Sequence, residues 1–461
     1  VHPLLLPAGT PAIPVHCVAR ADWPALRDGL APVPRSFAQA QGFEARPGQH
    51  ALLPDAAGAL VAVLLGVDPA GPRRRDPFAP GRLATTLPPG DYALAGDLGD
   101  PALAALGWLL TAYRFERYRK PKPAQARLAL PEGVDGDELT RLAEATALAR
   151  DLVNTSAADL GPAEIEAAIR ALGEACGAEV ASTVGDDLLA ANLPMIHAVG
   201  RASPRAPRLI DLRWGAPEHP RLTLVGKGVA FDTGGLNLKT DAGMLLMKKD
   251  MGGAAAAIAA ARMIMQAGLK VRLRLLVPAV ENAVSGSSFR PGDVLRSRKG
   301  LTVEIGNTDA EGRLILADAL ALADEEAPEL LIDFATLTGA ARVALGPELP
   351  PFYSHDDGLA AEIARIGAAV NDPVWRMPLW PPYDAMLDSR IADVNNVSGG
   401  AFAGSLTAAL FLNRFVENSR SYAHFDIYGW NPSTKPGRPE GGECQAARLT
   451  YALAKQLYGV R

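Results

Sequence analysis

From residue 163 onward, short apolar runs alternate with alanine-rich helical stretches, and this alternation limits the possible folds more than any other feature of the chain. The spacing predicts a helix over 163–176, strands over 178–183, 208–213 and 221–225, and a helix over 253–267 ending at Gly268. A strand over 270–280, a strand over 302–305, a helix over 311–326 and a strand over 329–334 follow. Strands separated by helices imply βαβ units and a largely parallel central sheet flanked by helices. The first 150 residues give a weaker pattern. Residues 51–66 read as two apolar strands around a glycine turn, and 68–81 as a loop containing the basic run Arg73-Arg74-Arg75. Residues 101–119 read as an amphipathic helix with a basic last turn, stopped by Pro121 and Pro123, and 137–152 as another helix. The expected class is α/β, with a small N-terminal α/β domain over 1–150 and a larger C-terminal α/β domain over 151–461.

Composition narrows the function. A chain of 461 residues is comfortable for two domains. With 48% apolar and 21% charged residues it is globular rather than disordered. A net charge of −5 gives no support for nucleic acid or an anionic membrane as partner. Three distant cysteines, Cys17, Cys176 and Cys444, supply neither a disulfide framework nor a CxxC pair, which favours a reducing compartment. The N-terminus is a poor signal peptide, and no apolar run reaches the ~18 residues of a membrane span.

The chemistry-bearing residues fall at strand ends. Lys227 follows strand 221–225, Asp309 follows strand 302–305, and Thr336 follows strand 329–334. Ligands of open α/β sheets bind outside the carboxyl ends of the strands. The stretch LVGKGVAFDTGGLNLKTDAGMLLMKKDMGG at 224–253 carries Lys227, Asp232, Lys239 and Asp250, and NTDAEGRL at 307–314 carries Asp309, Glu311 and Arg313. Acids gathered in apolar, glycine-rich surroundings repel one another and need cations. Bridging carboxylates hold two divalent ions about 3.5–4 Å apart. Oxygen-rich ligation suits Mg, Mn or Zn. No HExxH is present, and His197 and His424 read as core or hydrogen-bonded residues. GKG at 226–228 lacks the rest of a phosphate loop, and FDTG at 231–234 lacks the second aspartate loop that aspartic-protease chemistry requires.

Taken together, KGVAFDTGGLNLK, MKKDMGGAAA and NTDAEGRL resemble the signature of the leucyl aminopeptidase family, the cytosol-type dinuclear metallo-aminopeptidases. The likeness runs from about residue 145 to the C-terminus and includes DLVNTSAADLGP at 151–162, RPGDVL at 290–295 and DFATLTGA at 333–340. The N-terminal third matches mainly through LGWLLTAYRFERY at 106–118. The resemblance implies that residues 151–461 form the catalytic domain and that two divalent ions are bound per chain, Zn or Mn first, with Mg or Co as alternatives. One ion would be held by Lys227, Asp232, Asp250 and Glu311, the other by Asp232, Asp309 and Glu311. Lys239 would stay cationic and polarise the scissile carbonyl, which a metal-bridging water attacks. Arg313 would hold a bicarbonate as general base. Met247, Thr336, Leu337 and Gly339 would line the pocket for the first side chain, with Asn307 close by. Peptides with a free N-terminal amine, a homohexamer and a cytoplasmic location complete what the resemblance implies.

Two stretches depart from the family pattern: LNL at 236–238 and the tail HFDIYGWNPSTKPGRPEGGECQAARL at 424–449. Neither touches an expected ligand, but the tail leaves the preferred first residue open. Two rival classes are a hexameric scaffold or DNA-binding member of the fold and a different two-metal hydrolase such as a phosphoesterase. A free-amine requirement separates the last from an aminopeptidase.

Overall fold

A computed structural model describes residues 2–69, 75–120 and 125–459. The chain divides into two compact units, Val1–Ala147 with Ser433–Glu440, and Leu148–Pro432 with Gly441–Arg461. The division falls inside the helix Gly136–Asn154, so no proline- or glycine-rich linker marks it.

The first unit is built on a six-stranded sheet in the order Leu5–Leu6, Arg127–Ala129, Asp91–Gly96, Ile13–Ala19, Leu60–Val67, His50–Pro54. All neighbours are parallel except the last pair, which is antiparallel. The helix Pro101–Ala112 is buried from Ala104 to Ala112 and ends there, seven residues short of the expected 119. Its burial is all round rather than amphipathic. Another turn would carry Arg114, Glu116 and Arg117 along the same buried line, which the desolvation of charge opposes. Pro121 and Pro123 lie outside the described residues. The stretch expected to be a loop, 68–81, runs at its end into the 3-10 helix Ala79–Thr85. Of the basic run only Arg75 is described. It is largely buried rather than solvated and pairs with Asp97 at 3.2 Å.

The second unit carries the larger sheet, in the order Trp375–Arg376, Pro351–Tyr353, Tyr422–Asp426, Leu330–Ala335, Arg221–Gly226, Arg272–Asn282, Arg208–Trp214, Glu179–Val184. A ninth strand, Gly228–Asp232, extends the line of Arg221–Gly226 along Arg272–Asn282. The four central strands are parallel, and antiparallel pairs lie toward the edges. All six residues of Leu330–Ala335 are buried, as a strand covered on both faces must be. The helices Gly252–Gln266 and Glu311–Asp324 pack on the same central strands. The expected α/β class, with a mostly parallel sheet flanked by helices, is thus the observed one.

One expectation fails. Thr302–Glu304 is not a strand of this sheet but the middle of a separate three-stranded sheet with Val294–Arg296 and Val394–Asn395. Its alternating pattern gives strand without saying which sheet. No helix among the described residues is long and apolar enough to cross a membrane.

Candidate metal centre

Lys227 sits between two central-sheet strands, at a point where the backbone is pinned from both sides. Its N–H donates to the Phe334 carbonyl at 3.0 Å, and its carbonyl accepts from Ala254 N–H at 2.8 Å. The flanking glycines are required by these close approaches. A Cβ at Gly226 would lie 2.6 Å from Ala254 Cα, and one at Gly228 would lie 2.6 Å from the Pro278 carbonyl oxygen. The side chain is 3% exposed and runs over Gly312, where a Cβ would meet Lys227 Cε at 2.5 Å. Its ammonium lies 2.8 Å from Asp250 Oδ2 and 3.1 Å from Glu311 Oε1, and donates to the Thr336 carbonyl at 2.7 Å.

Asp232 closes the strand Gly228–Asp232. Gly234 and Gly235, at φ +87° and +64°, then reverse the chain, and Gly234 N–H donates to Asp232 Oδ1 at 2.8 Å. The reversal brings Lys239 back, its ammonium 2.8 Å from Asp232 Oδ2 and 2.6 Å from Asp309 Oδ1. Asn282, at the end of Arg272–Asn282, donates from Nδ2 to Asp232 Oδ1 at 2.9 Å and to the Thr308 carbonyl at 3.1 Å. Nothing in the sequence pattern points to this residue, since an asparagine ending a strand is an ordinary event.

Asp309 follows a strand of the separate three-stranded sheet rather than one of the main sheet. Thr308 Oγ1 donates to the Gly234 carbonyl at 2.7 Å, and Asn237 Oδ1 accepts from Thr308 N–H at 2.9 Å, tying its loop to the glycine turn. Asn307 Oδ1 accepts from Asp309 N–H at 2.8 Å, so Asn307 shapes that loop. Asp250 lies in the 3-10 helix Met247–Met251 just before Gly252–Gln266, and Glu311 opens Glu311–Asp324; both are helix N-terminal positions that favour an acid. Thr336 Oγ1 donates to Asp250 Oδ1 at 2.8 Å. Met247 and Leu337 are half-buried, and Gly339 is exposed at the start of Gly339–Leu345. Arg313 is buried two residues into its helix; Nη1 donates to the Asn396 carbonyl at 2.5 Å, while Nε has no hydrogen-bond partner.

The structure therefore brings Lys227, Asp232, Lys239, Asp250, Asp309 and Glu311 into one cluster. Burial lowers the affinity of Lys227 for its proton, but Asp250, Glu311 and Asp232 more than offset this and hold it above the usual lysine range. Lys239 is also held high, burial again being outweighed by Asp232 and Asp309. Burial and then the Asp232 charge push Asp309 up to about 6. Burial raises Glu311 and Asp250 as well, against the pull of Lys227. Lys249, beside Asp250, is pulled down to about 8, mostly by burial. Burial likewise lowers Arg313 to about 10.

Carboxylate oxygens of Asp232, Asp309 and Glu311 all lie within 4.8 Å of one another. Four acids with an amine at their centre form a donor set that fits divalent cations. A sheet with parallel central strands, and such a cluster past their carboxyl ends, defines a class: α/β proteins with a composite acidic centre for divalent ions.

Within that class the sequence is assignable. Residues 147–451 match the cytosol aminopeptidase family, catalytic domain, and residues 13–131 match the M17 aminopeptidase, N-terminal domain. The chain belongs to the cytosol aminopeptidase family. It is 43% identical over 312 residues to a probable cytosol aminopeptidase of Chlorobium limicola, covering 67% of this chain and 62% of that relative. A crystal structure of cytosol aminopeptidase from Coxiella burnetii superposes with a TM-score of 0.94 at 45% identity, over 99% of both chains. The bottromycin maturation enzyme BotP in complex with Mn superposes with a TM-score of 0.87 at 35% identity, over 97% of this chain and 100% of that one.

Proposed function

We propose that this protein is a dinuclear metal-dependent aminopeptidase that removes the first residue from peptides with a free N-terminal amine. The observation that carries the reading is the cluster of buried Lys227, Asp232, Asp250 and Glu311 with the partly exposed Asp309, and with Lys239 against two of these acids. Lys227, Asp232, Asp250 and Glu311 would hold one ion, and Asp232, Asp309 and Glu311 the other, with Zn or Mn as the expected metals. The Mn complex of BotP supports a metal of this kind. When bound, the two ions supply Lewis-acid polarisation of the peptide carbonyl and acidify water at neutral pH.

The chain's own residues do the rest. Asp232 and Asp309 keep Lys239 charged, and its ammonium stabilises negative charge developing on the carbonyl oxygen. Arg313 would hold a bicarbonate that supplies the general base, and its unpartnered Nε is a buried donor suited to an anion. Met247, Thr336, Leu337 and Gly339 line the pocket for the first side chain, with Asn307 holding the loop of Asp309. A homohexamer acting in the cytoplasm belongs to the same reading, supported by family membership and the names of the relatives.

The test uses purified protein loaded with Mn or Zn. Tripeptide amides with a free amine should lose their first residue, and their N-acetylated forms should be spared. Chelation should abolish the activity, and added metal should restore it. Equal cleavage of free and acetylated peptides would overturn the reading in favour of a different two-metal hydrolase.

A further inference from the structure

At the end of the central sheet away from the metal centre lies a cavity of about 410 Å³. It is bounded by the amino ends of the strands Leu330–Ala335 and Tyr422–Asp426, the first turns of the helix Asp357–Ala369 and the last turns of the helix Ala447–Tyr458. Thr336, just past the other end of Leu330–Ala335, gives its carbonyl to Lys227. Strand residues rise ~3.3 Å each, so the length of this strand sets the cavity about 20 Å from the metal centre. Leu359, Leu453 and Leu457 form its apolar wall.

Two acids at the cavity are already committed. Asp356 accepts from Leu359 N–H at 2.9 Å and from Ser421 Oγ at 2.6 Å, and Glu362 accepts from Arg365 and Gln456, each at 2.6 Å. The Glu329 carboxylate, the Arg420 guanidinium and the Tyr458 hydroxyl have no hydrogen bond or ion pair among the described residues. Burial, then the Glu329 charge, pushes the Tyr458 phenol up to about 12, so the hydroxyl stays protonated. Glu329 and Arg420 stand at facing positions of neighbouring strands, two residues ahead of the registered pair Leu331 and Tyr422, and Arg420 N–H donates to the Pro328 carbonyl at 3.0 Å. Neighbouring strands run ~4.8 Å apart, yet the two charged groups do not pair with each other. An unused acid and an unused base thus lie side by side along an apolar wall.

We infer that this cavity binds a free aliphatic α-amino acid such as leucine, with its ammonium on Glu329 and the Tyr458 hydroxyl, its carboxylate on Arg420, and its side chain against Leu359, Leu453 and Leu457. Both charged contacts are charge-assisted hydrogen bonds, and the guanidinium fork matches a carboxylate. In an α-amino acid the two charges sit on one carbon, which suits groups on adjacent strands. A dipeptide spreads them by a further residue, about 3.5 Å of extended chain. A simple anion is disfavoured by the three acids around Arg420. The inference does not depend on the aminopeptidase reading; under that reading the ligand belongs to the class of product that the metal centre releases.

The experiment is equilibrium dialysis of leucine against the Mn-loaded full chain, with wild type, Arg420→Gln and Glu329→Gln side by side. Leucine held at the metal centre is common to all three, so the difference between wild type and variant counts the molecules in this cavity. We expect one leucine per chain in that difference, with a Kd of about 0.1–1 mM, reasonable for a ligand of this size. Each variant should weaken it at least about 10-fold, the loss of a hydrogen bond to a charged group. Both substitutions lie on exposed side chains, and an unchanged melting midpoint certifies the fold. Leucinol, which lacks the carboxylate, and N-acetylleucine, which lacks the ammonium, should show no such difference. Equal uptake of leucine by wild type and both variants would overturn the site. A difference as large for leucinol or N-acetylleucine as for leucine would overturn the recognition of paired charges. Either result leaves the aminopeptidase reading standing, since that reading is judged by the cleavage of free and acetylated peptides.

Discussion

Lys227 shows the conflict that a single residue can hold. In the cluster as described it is an ammonium among Asp250, Glu311 and Asp232, yet a metal ligand must be a neutral amine. With the proposed ligand set, metal uptake would expel that proton, together with any on Asp250 and Glu311, whose own affinities for protons are raised. The sign follows: binding releases protons, so affinity rises with pH and weakens as pH falls. At least about one proton per chain should appear on titration with Mn or Zn. Calorimetry in buffers of different ionisation enthalpy measures it, and a pH-independent uptake would remove Lys227 from the ligand set. Arg313 separates from the ligands in the same way. Arg313→Ala should slow turnover about 100-fold, a usual size for loss of general-base assistance, with metal content unchanged. Loss of metal in that variant would make its role structural. The acids and lysines of this centre were legible because charged residues in glycine-rich, apolar surroundings are rare and carry a meaning. Lys249 was not, because in the sequence it is one of two adjacent lysines. Only the fold separates Lys248, whose ammonium donates to the Asn154 carbonyl, from Lys249, which is buried against Tyr428.

At the scale of elements, the helices and strands that bury a continuous apolar face read correctly, since burial imposes the pattern. The strand Gly228–Asp232 was missed because Lys227 and two glycines interrupt its line, and Tyr422–Asp426 because it carries buried His424 and Asp426. His424 pairs inside the sheet with Asp333, at 2.7 Å from Nδ1, so a polar residue sits in a buried strand and breaks its apolar pattern. Thr302–Glu304 shows the opposite failure, a true strand in the wrong sheet. Asp309 consequently reaches the centre through Thr308 and Asn237 rather than through a strand end. The helix Gly252–Gln266 depends on a close approach to its neighbouring strand. A Cβ at Gly253 would lie 2.2 Å from the Phe334 carbonyl oxygen, and backbone on both sides leaves little room to yield. Gly253→Ala should cost about 1–3 kcal/mol by overpacking and displace Asp250, three residues earlier. Denaturant melts and bound-metal stoichiometry check the two effects. Unchanged stability with full metal would show that the helix can shift without strain.

At the scale of the whole molecule, the part least legible was the tail. Its residues Ser433–Glu440 belong to the first unit, although the chain on either side belongs to the second. Gly437 N–H donates to Thr111 Oγ1 at 2.6 Å, and a Cβ at Gly437, where φ is +71°, would lie 2.3 Å from the Phe78 ring. Proline- and glycine-rich sequence announces a loop but not where the loop packs. Immediately after this excursion the tail closes the second unit. Glu443 pairs with Arg150 at 2.8 Å across 293 residues of sequence, and Asn431 Nδ2 donates to the same carboxylate at 2.9 Å. Burial by itself would raise the Glu443 pKa, but Arg150, Asn431 and Cys444 N–H outweigh it and hold the group at about 2, against an ordinary 4.5. A pKa depressed by folding contributes stability that is fully present above the unfolded value. That contribution drains away as pH falls from 4.5 toward about 2. Glu443→Gln removes the counter-charge of a guanidinium that is 1% exposed, and at pH 7 it should cost about 3–5 kcal/mol. The gap between wild type and variant in urea melts should therefore be widest near neutrality and narrow at about pH 3 as the wild-type carboxylate begins to lose its advantage. A gap of the same size at pH 7 and pH 3 would mean that the lost interaction is packing, and that the charge pair contributes nothing to closing the chain.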